Sequence, residues 1–194
     1  MKTIEEMTRE ITHLEETLVK VSSTDISPDE LTHIAAAVQS NCREVRPGSG
    51  MLFYVLDDPS EMPADARVDF LYHPTYLAAA ILICIAVRAP DVLEKGTASF
   101  AGVLRACSGR NFHGHGYESE KGLVDALETL LNAPVSAFLE KHADVCPEFS
   151  AAFSAAIEEL RGVCGGTVQP TWGKDENLVR RAKQLWSLWE NSGR

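Results

Sequence analysis

The sequence predicts an all-α or nearly all-α fold: a single-domain multi-helix bundle around a buried central helix, with a small β-hairpin near residues 51–72. Three observations carry this. Leu77 to Val87 is an unbroken apolar run of eleven residues, so a helix there has no face to show to water and belongs at the centre of the bundle. Elsewhere apolar residues recur at steps of three and four, the period of a helix packed on one side. A chain of 194 residues, 45% of them hydrophobic, is long enough for one core, burying roughly 70% of its extended-chain surface on size scaling.

The first helix is expected from about Thr3 to Val21, where Ile4, Met7, Ile11, Leu14, Leu18 and Val21 form a heptad seam. Such a seam suits a coiled-coil partner helix from the same chain or from a second copy. The internal helical hairpin is the simpler reading. Ser27 before Pro28, Asp29 and Glu30 marks a second helix start: a capping hydroxyl, proline at the first helical position, and acids at the positive end of the dipole. Its stripe is Leu31, Ile34, Ala35, Val38 and Cys42, and a short connection should fold it back on the first helix, making residues 1–42 a helical hairpin.

Arg43 to Gly50 ends in Pro47, Gly48, Ser49 and Gly50 and reads as a loop, the best internal boundary in the chain. Met51 to Leu56 reads as a strand, and the alternation of Val68, Phe70 and Tyr72 with Arg67, Asp69 and Leu71 offers it a partner. Asp57 and Asp58, before Pro59, are better suited to a turn than to a metal. Pro74, after His73, suits the start of the central helix, which should reach Val87 or Arg88.

Beyond it, Thr97 can cap a helix carrying Phe100, Val103, Leu104 and Cys107, stopped at Ser108 and Gly109. Ser119 can cap another with Leu123, Leu127, Leu130 and Leu131. Val135, Phe138 and Leu139 define a short helix after Pro134, and Phe149 to Leu160 a longer one. The last helix begins near Asp175 and sets Leu178, Ala182, Leu185, Trp186 and Trp189 on one face, which favours docking onto the bundle over a nucleic-acid or membrane surface.

A formal charge of −10 argues against nucleic acid as a partner, because phosphate binding needs a basic surface. Half of it lies in residues 1–30, where eight carboxylates face Lys2, Arg9 and Lys20. The longest apolar run falls far short of the roughly 20 residues that span a bilayer, so no membrane partner is expected. The start of the chain shows no secretory pattern, which leads to the expectation of a cytoplasmic protein. Of five widely spaced cysteines, odd in number, four or more read as reduced thiols.

The candidate chemistry lies between Cys107 and Glu118, where three glycines, two histidines, an arginine and two aromatics interrupt the helical pattern. His113 and His115 share a side if the segment is extended, and with Glu118 they are a workable ligand set for a divalent metal, zinc or another. His73, Asp57 and Asp58 are the candidates for a further ligand. Arg110, the backbone amides of Gly109, Gly114 and Gly116, and the helix start near Ser119 could instead hold a small anionic ligand, with Tyr117 beside it. Cys107 is a poor nucleophile, since the negative end of its helix raises a thiol pKa. A structural loop anchored by Phe112 and Tyr117 is the competing account. The leading functional expectation is an intracellular helical binding or interaction protein that self-associates through the heptad helix. The alternative is a metal-assisted hydrolase or small anionic-ligand enzyme using Arg110, His113, His115, Tyr117 and Glu118.

Overall fold

The computed structural model describes residues 2–23, 25–45, 47–58, 70–93, 102–103, 128–131, 133–144, 147 and 176–191. Within them the chain is mostly helical, with one small two-stranded antiparallel sheet. The elements are α1 (Ile4–Ser23), α2 (Pro28–Ser40), β1 (Cys42–Glu44), β2 (Leu52–Tyr54), α3 (Tyr72–Arg88), α4 (Pro90–Leu93), α5 (Ala133–Lys141) and α6 (Glu176–Asn191).

α3 is the central helix, and every residue from Pro74 to Ile85 is buried. Its composition is apolar around the whole circumference, so no rotation of the helix would have left a wet face. α1 supplies its largest cover. Met7, Ile11, Leu14, Leu18 and Val21 are all buried, and α1 packs chiefly on α3 and α5. The heptad seam is therefore used within the chain, while Ile4 at its outer end is 63% exposed.

The start of α1 is set by a reciprocal capping box: the Thr3 amide donates to Glu6 Oε2 at 2.7 Å and the Glu6 amide donates to Thr3 Oγ1 at 3.2 Å. At α2, Ser27 is the N-cap and accepts from the Glu30 amide at 3.2 Å, with Pro28 opening the helix. α2 does not fold back mainly on α1. It makes its principal contacts with α3 and α4, because the all-round apolar surface of α3 offers more to bury than the polar flank of α1.

The hairpin differs from the expected one. β2 pairs with β1, in the register Cys42 with Tyr54, Arg43 with Phe53 and Glu44 with Leu52. Residues 67–69 lie outside the described residues, Phe70 and Leu71 form a turn, and Tyr72 opens α3. The alternation of Phe70 and Tyr72 reflects the entry to a helix: Phe70 is buried in the main core, while Tyr72 meets Phe53 edge-to-face at 5.8 Å. The stretch that reads as an internal boundary is the hairpin turn. Glu44 accepts from the amides of Gly48 at 3.0 Å and Gly50 at 2.5 Å, and both glycines have positive φ, 78° and 65°.

Both faces of β2 are covered, which accounts for its lack of polar residues. Tyr54 and Leu56 join the main core, whereas Phe53 and Val55 form a satellite cluster with Met51, Leu71 and Tyr72. Asn41, the C-cap of α2, ties this sheet to the bundle by donating to the Tyr54 hydroxyl at 3.3 Å, and Thr75 ties it to α3. The Tyr54 amide donates to Thr75 Oγ1 at 3.0 Å, and that hydroxyl donates to the Leu71 carbonyl at 2.6 Å, with Thr75 only 1% exposed. Thr75 thus takes the place of a further strand.

At the other end of α3, Arg88 donates to the Ser22 carbonyl at 3.3 Å and lies 5.2 Å from the centre of the Phe138 ring. A cation suits the carbonyl ends of α1 and α3 that meet here. In α6, Ala182 and Leu185 are buried and Val179 and Trp186 pack partly against the core, so this helix docks by its apolar stripe. Gly102 and Val103 are helical and buried, with Gly102 so close to Leu52 that a Cβ would lie 2.6 Å from its Cγ.

Replacing Thr75 with valine keeps the shape and branching of the side chain but leaves the Tyr54 amide buried without an acceptor. A loss of about 1–3 kcal/mol in denaturant unfolding is expected, with Thr75→Ser close to the parent protein. Cys42 and Cys84 are both pushed up to about 12 by burial, so at neutral pH neither supplies much thiolate. Peptide mapping after brief alkylation should find both unmodified in the native protein and modified in denaturant; rapid native labelling at Cys84 would contradict its burial.

Candidate functional site

The polar cluster that the described residues bring together lies where α3 emerges from the core. His73 occupies the first turn of α3, one residue before the buried Pro74, and its side chain is 12% exposed. Opposite it, Glu15 follows Leu14 of the α1 seam and is held on the margin of the core, 32% exposed. Thr129 arrives from a short helical stretch at residues 128–130 whose Leu130 is fully buried. Each polar residue is next to an apolar anchor that positions it.

Glu15 Oε1 receives both neighbours. The Thr129 hydroxyl donates to it at 3.1 Å, and His73 Nε2 approaches to 3.4 Å. The second is a close contact in which the buried Nε2 makes no hydrogen bond of good geometry. The His73 contact is the main influence holding the Glu15 carboxyl below its ordinary value; burial acts against it, and the Thr129 hydrogen bond adds a smaller lowering. Since both contacts fall on Oε1, the second oxygen of Glu15 is free of a partner among the described residues.

Beside this carboxylate runs an open groove of about 450 Å³, lined by Glu15, Glu16, Val19, Lys20, Ser23, Glu128 and Thr129. Its charges are arranged by neighbours outside it. Lys20 is bonded to Glu30 of α2, and Glu128 Oε1 accepts from Arg181 Nε and Nη2 of α6 at 2.8 and 2.7 Å. Glu16 is exposed and Val19 supplies an apolar strip. The groove can hold hydrogen-bond donors against Glu15, hydroxyl-bearing or charged groups against Ser23 and Thr129, and a short aliphatic stem along Val19.

Arg110, His113, His115, Tyr117 and Glu118 lie outside the described residues, as does Cys107. Of the three further metal-ligand candidates, His73 is turned to Glu15 and Asp57 accepts from the amides of Lys2 and Asp58. Asp57 therefore stands at a bend after β2 and ties the chain there to the start of α1. Among the described residues no group of three His, Cys, Asp or Glu side chains is placed to hold a metal ion. Nor is any described helix long and apolar enough to cross a membrane.

Sequence reasoning singled out His73 but missed Glu15 and Thr129. A signal for Glu15 exists: it lies between Leu14 and Leu18 on the edge of the seam, where a carboxylate is part-buried and needs a donor. For Thr129 there is none, because its role depends on a partner 114 residues away. Comparison with family models, with curated proteins and with solved structures found no match.

The pH dependence of the Glu15 contribution follows from its lowered pKa. The folded carboxyl holds its proton less tightly than the unfolded one, whose ordinary value is 4.5. Its stabilisation is thus fully present above that value and is lost as pH falls through the lower folded value. The Glu15 carboxylate lines the open groove and is screened by solvent there, so the size is about 1 kcal/mol or less. The stability difference between the parent protein and Glu15→Gln should shrink toward zero on acidification below 4.5; a difference that grows in acid would contradict the assignment.

Proposed function

We propose that the chain is a helical binding protein that engages its partner on the polar flank of α1, in the groove beside Glu15. The observation that supports this is the anchored carboxylate. His73 and Thr129, from two other parts of the chain, meet one oxygen of Glu15, a residue that lines an open groove, and among the described residues the other oxygen has no partner. A carboxylate already ordered by its neighbours loses less side-chain freedom when a ligand binds, which favours recognition.

The apolar seam of α1 has a different use. Five of its six residues are buried inside the chain, so self-association through the seam would require two copies to exchange α1, as in a domain swap. Light scattering of the full chain over a range of concentrations tests this second reading. A concentration-independent monomer mass removes it, and a stable dimer in which α1 of one copy is held against α3 of another, seen as a disulfide between Leu14→Cys on one copy and a cysteine of α3 on the other, supports it.

For the groove, thermal-shift and calorimetric titration with a panel of small amines, carboxylates and short peptides of both charges is the direct measurement. At least one binder should lose about tenfold or more in affinity in Glu15→Gln, the scale of a charge-assisted hydrogen bond. Glu5→Gln, at the exposed start of α1 and outside the groove, should leave that binder unaffected. If every compound that binds is indifferent to Glu15→Gln, the groove is not the binding surface.

A further inference from the structure

We draw no further inference here: the strongest candidate, the groove between α1 and residues 128–129 with the carboxylates of Glu15, Glu16 and Glu128, belongs to the site already described, and no second observation beside this acidic cluster points to the chemistry of an occupant.

Discussion

The constraint on which the other described elements depend is that α3 has to be covered on every side. From Tyr76 to Ile85 its residues are 0–2% exposed. A helix with one polar face could rest on the surface of a bundle, but this one must be enclosed, and α1, α2, β2, α4 and α5 all contact it. Burying a large apolar side chain stabilises by roughly 1.5–3 kcal/mol relative to leaving it in water. Summed along α3, that preference outweighs the weaker local reasons for any one neighbour to pack elsewhere. The packing of α2 shows it: short connection notwithstanding, α2 contacts α3 and α4 more than α1.

An apolar helix also concentrates polar chemistry at its ends. Thr75, His73 and Arg88 stand near the termini of α3, and each makes a connection that the apolar middle cannot. Thr75 supplies the acceptor for the sheet. Arg88 closes the carbonyl end of α1 and lies over Phe138. His73 meets Glu15 at the edge of the groove. The candidate site is thus a consequence of the core's shape. It forms where the first turn of α3 leaves the apolar interior and where α1, whose seam is spent on packing, still presents a carboxylate to water.

Much of the helical framework was legible because its signals are local. The seam of α1, the Ser27–Pro28 start of α2 and the apolar run of α3 each act within a few residues. The sheet was legible only in half. Met51 to Leu56 announces a strand by composition, but a strand bonds equally well to any extended neighbour. Cys42 to Glu44, with one half-buried and two exposed residues, offers no alternation strong enough to declare itself. Phe70 and Tyr72 alternate more clearly, yet Phe70 is buried at a turn and the partly buried Tyr72 opens a helix.

Among the described residues, the sequence by itself determined that α1, α2, α3, α5 and α6 are helical, where two of them begin, and which one must lie at the centre, since capping, periodicity and all-round hydrophobicity are properties of neighbouring residues; the short α4 was not legible. The tertiary structure decided which strand pairs with β2, that the seam of α1 is used within the chain, and that Glu15, His73 and Thr129 meet. Those outcomes turn on which surfaces compete for α3 and on bonds between residues far apart in the chain. No local pattern encodes such a choice, because each candidate partner satisfies the same backbone and burial requirements until the whole core is assembled.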